Sequence, residues 1–256
     1  MTQKTVPLST ASERLLQQLE NLWNFMDSAL SSRQFPAQND LRLFILASVT
    51  AATFRIIRAI IRQIRGGSVD GIEILIRSLV EGMVNVKYIL EDTTQMRARA
   101  YIADDLRDRL ANVRRLIPLL AKGTARGMAT VTDADRYRKL ERQLQQERQD
   151  LKDQYGEKNL RFPSLEQRAK LSGTEELYST AFWLFSLDTH FTARGLDRFM
   201  NTQNNNIVIE LGQDLSRIYL SLRSTYIIFC ALLNECSQYF NIPQREEFKK
   251  YDFIPQ

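Results

Sequence analysis

Histidine is almost missing from this chain: His190 is the single one in 256 residues. Only two cysteines stand beside it, Cys230 and Cys236, so an ordinary His/Cys zinc site cannot be assembled. The cysteines are six positions apart in a hydrophobic helical stretch and point to different sides, so the expectation is two buried free thiols in a reducing compartment. Glycine (10) and proline (6) are scarce, which disfavours a turn-rich β fold. There is no glycine-rich phosphate loop and no GxSxG elbow. The opening residues MTQKTVPLSTASERLL lack the apolar segment of a secretory signal. No uninterrupted apolar run reaches 18 residues; the nearest, Leu43–Phe54, is too short and continues into arginines. These absences lead us to expect a cytoplasmic protein with no transmembrane segment, no metal and no cofactor.

What is present reads as helix. Hydrophobic residues make up 44% and charged residues 25%, ordinary for a globular chain. The net charge of +5 permits contact with nucleic acid or an anionic membrane without demanding either. The stretch Gly71–Leu90, GIEILIRSLVEGMVNVKYIL, is apolar nearly all round a helix and is expected to be buried. One line of polar residues crosses it at spacings of four: Glu73, Arg77, Glu81 and Asn85. Unpaired buried charge is expensive, so another element is expected to meet that line.

Around this stretch the other helices fall in order. Thr10-Ala-Ser-Glu13 fits a capping box and opens a first helix with Leu15, Leu16, Leu19, Leu22, Trp23, Met26 and Leu30 at helical spacing. Asp40 caps a second, stopped at Gly66-Gly67, with Leu43, Phe44, Leu46, Phe54, Ile57, Ile60 and Ile64 on its apolar side. Arg55, Arg58, Arg62 and Arg65 form a basic stripe on it. That stripe is either a solvated face or a contact for phosphate groups, and no aromatic residue interleaves with it to stack on bases. A fourth helix is expected from Thr93 to about Lys122, kinked or ended by Pro118. Asp104, Asp105 and Asp108 lie among its arginines and are expected in surface ion pairs. The fifth, from about Thr132 to Tyr155, carries only a narrow apolar seam, Tyr137, Leu140, Leu144 and Leu151, between mixed charges. It is expected to pair with the fourth as a charged antiparallel hairpin. Ser164 opens a short helix, Thr174 caps an aromatic one holding Tyr178, Ser186 and His190, and Asn201–Asn206 reads as a polar loop. A short extended piece at Ile207–Ile209 is the one strand candidate. A last helix, from about Ile207 or later to Phe240, places Leu215, Leu222, Tyr226, Phe229, Leu233 and Cys236 inward. The expected architecture is a single all-α domain over residues 1–256: a multi-helix bundle with a protruding charged antiparallel hairpin (about 93–155) and an extended tail (241–256).

One constellation could carry chemistry. Ser186 and His190 are i,i+4 on the aromatic helix, with Tyr178 and Phe182 on the same line. If that helix packs on the polar line, His190 serves as acid or base and Arg77 stabilises an anion near Glu81 and Asn85. The simpler reading is a satisfied buried network that fixes helix register.

Arg77-x-x-x-Glu81, Lys87-Tyr88-Ile89, Tyr101, Tyr178 and Ser186-x-x-x-His190 together resemble the signature of a widespread bacterial all-helical family of unknown function, over roughly Ile60–Met200. The resemblance implies that Arg77, Glu81 and His190 belong to one site and brings no reaction with it. The layout is also similar to helical RNA-cleaving domains of prokaryotic toxin and defence systems, which place an Arg and a His about five residues apart on one helix. Here His190 is 113 positions from Arg77.

The expected function is a bacterial helical interaction or regulatory protein, of a defence or toxin-type system, that binds a protein or nucleic acid through the hairpin and the basic stripe. The alternative is a metal-independent nuclease or hydrolase using His190, Arg77 and Glu81, with Ser186, Asn85, Tyr178 and Tyr101 lining the site. A structural homo-oligomer is the third class.

Overall fold

The structure, a computed structural model, describes residues 8–30, 40–69, 71–125, 130–182, 200–203, 206–209, 217–240, 242, 245 and 248. The protein is an all-α multi-helix bundle, and its described residues fall into two compact units, 1–88 with 165–256, and 89–164.

The first unit is built on α1 (Thr10–Leu30), α2 (Leu41–Arg65), α3 (Ile72–Leu90, whose last two residues open the second unit) and the C-terminal helix. Leu16, Leu19, Leu22 and Met26 recur at three and four and are fully or almost fully buried. Against them α2 turns Leu46, Ile57 and Ile60, all within 1% of full burial. Each such side chain stabilises the unit by roughly 1.5–3 kcal/mol. Trp23 stacks on Phe54 at 5.2 Å and donates its indole N–H to the Phe54 carbonyl. The cap of α1 lies one residue before the expected one: the Ser9 hydroxyl accepts the Ser12 N–H at 3.2 Å, and Glu13 instead pairs with Arg65. Asp40 caps α2 as expected, accepting the Arg42 N–H at 3.0 Å. Its carboxyl is held below the usual range by the Arg42 guanidinium, against a smaller opposing effect of burial. Phe44, expected on the apolar side, is 66% exposed: the buried face of α2 runs instead through Ile45, Leu46, Thr50, Thr53 and Ile57. By length and composition α2 could cross a bilayer, with a mean hydropathy of 1.8 over 18 residues, of which a third are buried.

α6 (Leu165–Leu171) is followed by a short turn of helix, α7 (Glu175–Leu177), which widens into a π-helical turn at Tyr178–Phe182. Thr174 does not cap α7 with its side chain: its hydroxyl meets that of Ser172 at 2.9 Å. Two strands, β1 (Met200–Gln203) and β2 (Asn206–Ile209), pair antiparallel with Met200 opposite Ile209 and Thr202 opposite Ile207. Part of the expected Asn201–Asn206 loop is therefore strand; side-chain polarity does not forbid a short backbone ladder. The C-terminal helix, α8, spans Ile218–Tyr239 and begins well after Ile207. From Ile228 to Cys236 every side chain is buried. Its inner line is largely the expected one, although Tyr226 is only half-buried and Leu215 lies outside the described residues. In the tail, Ile242 and Phe248 are buried, Phe248 stacks on Phe25 at 6.2 Å and Arg245 lies 4.9 Å over the Phe25 ring.

The second unit is the hairpin of α4 (Met96–Ala125) and α5 (Val131–Tyr155). Leu106, Leu110 and Val113 pack on Leu144, with Ile117, Tyr137, Leu140 and Leu151 around them. This is the expected narrow seam. α4 starts at Met96, three residues after the expected Thr93, because Asp92 folds back on the chain: its carboxylate accepts the Thr94 and Arg97 N–H groups at 2.9 and 2.7 Å. Pro118 does not end the helix, which runs to Ala125. A proline removes the bond to the carbonyl four residues back, and here Pro118 and Arg114 are both exposed, so water can satisfy that carbonyl. α5 opens with a complete capping box between Thr130 and Asp133.

Candidate functional site

Asn85 is the clearest buried polar group on α3: its Oδ1 is buried and has no hydrogen-bond partner among the described residues. Such an atom is uncommon in a native fold. The rest of the expected line stays inside only at its start. Glu73 is buried, Arg77 is half-buried and Glu81 is exposed. The helix emerges along Ile74, Ser78 and Glu81, spaced four and three apart, which is one face. Only its second half, Met83–Leu90, is buried without interruption. Ser186 and His190 lie outside the described residues, so the proposed meeting with Arg77, Glu81 and Asn85 is not drawn here. Tyr178 is half-buried at the start of the π-helical turn. Tyr101 sits in the second unit, edge-on to Phe162 at 5.4 Å.

A buried ion pair of the first unit lies off that line. Lys87 Nζ donates to Glu235 Oε1 at 2.6 Å, joining α3 to α8, and both side chains are under 8% exposed. Sequence reasoning followed the spacing of four and named Lys87 only within the Lys87-Tyr88-Ile89 motif, not as a buried charge needing a partner. The available signal was a lysine inside an apolar α3 and a glutamate inside the apolar run IFCALLNEC of α8.

The basic stripe of α2 is divided among separate tasks. Arg65 pairs with Glu13 and Glu20 at 2.5 and 2.7 Å, which raises its already high pKa further. The Arg58 guanidinium lies 5.8 Å over the Trp23 ring. Arg62 is exposed, and Arg55 lines a cavity described below. The thiols are free and buried as expected; Cys236 lies 3.1 Å from the Thr50 hydroxyl, and burial pushes its pKa up to about 12. Among the described residues no three His, Cys, Asp or Glu side chains converge as metal ligands.

In the second unit the ion pairs are uneven. Arg107 meets Asp104 and Asp108, Arg109 meets Asp105, Arg114 meets Glu141 and Arg138 meets Asp135. The three aspartates of α4 are thus surface partners, as expected. Nearer the turn, Arg115, Lys122, Lys139 and Arg142 are all exposed and make no ion pair among the described residues. Exposed Leu116 and Leu119 lie between Arg115 and Lys122.

No curated protein and no solved structure matches this chain. One sequence family does, over residues 43–207, a wider span than the motifs alone suggested and well over half of the chain. The protein belongs to that family, DUF5677, a family of unknown function.

Proposed function

We propose that the protein is a nucleic-acid-binding interaction protein, with the α4–α5 hairpin as its contact surface. The observation that supports this is where the charge sits. Residues 89–164 hold 16 basic and 12 acidic side chains, a net +4 out of the chain's +5. Five of the nine acids on α4 and α5 are tied to neighbouring arginines. The exposed cations of the hairpin helices that make no ion pair among the described residues include Arg115, Lys122, Lys139 and Arg142. The pair between Arg114 and Glu141 sets the register of the hairpin and puts Arg115 level with Lys139 and Arg142. Exposed cations spread over about two turns of a helical hairpin suit a row of phosphates, and phosphate contacts supply most sequence-independent affinity. The hydrolase reading depends on His190, which lies outside the described residues.

The test is fluorescence anisotropy of labelled duplex DNA and of single-stranded RNA against the full chain over a salt series. Four phosphate contacts give a log–log slope of roughly −3 to −4 on duplex DNA. Replacing Arg115, Lys122, Lys139 and Arg142 with Glu abolishes binding, while circular dichroism stays unchanged because all four are exposed. Binding that ignores salt, or that survives the fourfold replacement, sinks the reading. Absence of binding to either nucleic acid does so too, and turns attention to a protein partner for Leu116 and Leu119.

A further inference from the structure

A cavity of about 320 Å³ opens in the first unit between α1, α2 and the end of α8. That is the lower end of the size range of small-molecule sites. Its origin is legible in α2. Ala47, Thr50, Ala51 and Phe54 follow one another at three, four and seven, so they share a face. Phe54 reaches α1 through its stack on Trp23 and holds the helices together there. One and two turns earlier the same face carries Ala51, Thr50 and Ala47, and space is left where larger side chains would otherwise fill it. Phe240, from the end of α8, supplies a further apolar wall.

Three polar groups interrupt this lining. Thr50 is buried, and its hydroxyl is already committed to the Leu46 carbonyl at 2.7 Å. Asp27 from α1 and Arg55 from α2 are exposed and line the same cavity. Among the described residues they form no ion pair with each other, and neither bonds to any other group. An acid and a base within 4 Å would pair; these face one space while staying apart. A ligand that satisfies both must carry a cation for Asp27, an anion for Arg55 and an apolar body for the alanine-lined space.

We infer that this cavity binds a small zwitterion with an apolar side chain, an α-amino acid of leucine to phenylalanine size. The carboxylate of the ligand sits on the Arg55 guanidinium, which presents paired N–H donors to it. The ammonium sits on Asp27, and the side chain fills the space above Ala47 and Ala51. This inference is independent of the nucleic-acid reading, since it uses a different unit and different residues.

The experiment is isothermal titration of the full chain with L-phenylalanine and with L-leucine, to about 10 mM, the weakest range that still reports a defined site. We expect saturable one-to-one binding of at least one of them. N-acetyl-L-phenylalanine, which lacks the ammonium, and L-phenylalaninamide, which lacks the carboxylate, should each bind at least about tenfold more weakly. Asp27→Asn and Arg55→Gln should weaken the amino acid by a similar factor. Ala51→Phe, at an exposed position, should fill the space and abolish binding with the fold intact by circular dichroism. The absence of saturable binding by both amino acids overturns the inference. So does binding that is indifferent to the loss of either ligand charge, or that persists in Ala51→Phe.

Discussion

Lys87 and Glu235 are 148 positions apart in the chain and 2.6 Å apart in the structure, an ion pair closed off from solvent on both sides. A buried pair gains little over a well-packed apolar pair, yet removing one partner strands the other charge in a poor dielectric. Lys87→Met and Glu235→Leu should each destabilise the first unit by about 3–5 kcal/mol. The double variant should recover most of that loss. Urea unfolding of the four proteins measures it as a double-mutant cycle. If the two single losses simply add, the pair is not coupled as the geometry requires.

Gly82 brings α3 against α2. A Cβ built on it would lie 3.2 Å from Val49 Cγ1, closer than ordinary contact, though the atom it meets is the tip of a side chain. Alanine would gain about 0.8–1.0 kcal/mol of helix propensity over glycine and give back a few tenths or more in crowding. Gly82→Ala should therefore lie within about 1 kcal/mol of the parent, while Gly82→Leu should cost about 1–3 kcal/mol by overpacking. A fully tolerated leucine would show that the close approach places no limit on α2 and α3.

Asp92 holds the entry to α4, and its role carries a pH signature. Burial pulls its pKa upward, but hydrogen bonds from the Thr94 hydroxyl and from the Arg97 and Thr94 N–H groups outweigh that and leave it lowered. A carboxyl with a lowered folded pKa stabilises fully above its unfolded value of about 3.9 and loses that contribution as pH falls through the folded value. Asp92→Ala should cost about 1 kcal/mol at neutral pH, the usual size of a lost helix-end acceptor. The gap between the parent and Asp92→Ala in urea midpoint should shrink below about pH 4. A gap that stays constant from neutral pH into that acid range would mean the charge on Asp92 is irrelevant.

Where the sequence was readable, local chemistry did the work. The spacing of Leu16, Leu19, Leu22 and Met26 announced the buried side of α1, and the thin seam of Leu140, Leu144 and Leu151 announced a pairing helix. Asp40 and the glycines after Arg65 bounded α2 within a residue or two. What failed was information that no neighbouring residue carries. α3 looks buried all round because its composition is apolar, yet Ile74 is 51% exposed, since nothing in α3 says which of its faces will be covered. The partner of Lys87 is on a helix that folds back from the far end of the chain. The alanines at 47 and 51 were visible, but only the arrival of Phe240 from α8 and of Asp27 from α1 turns them into a cavity. The extent of α4 was misjudged at both ends. Asp92 bonds back to the chain where it reads as a plain loop residue, and an exposed Pro118 costs a helix less than a buried one.

Cys236 offers the most direct check on the packing of α8 against α2. It is fully buried with Cys230, and burial pushes its pKa up to about 12 although the Thr50 hydroxyl works the other way. Only the thiolate attacks a disulfide reagent. The folded protein at pH 8 should therefore show no fast-reacting thiol, and both should react once urea unfolds the chain. The same burial makes stability fall in alkali. An unfolded cysteine loses its proton near pH 8.5, while the folded one keeps it until about 12, so the unfolded state gains stability through that interval. Between pH 8 and 10 the parent should lose about 2 kcal/mol more than Cys236→Ala does. Equal losses in the two proteins, or rapid labelling of Cys236 without denaturant, would place the thiol in contact with water and remove it from the core between Thr50 and Phe229.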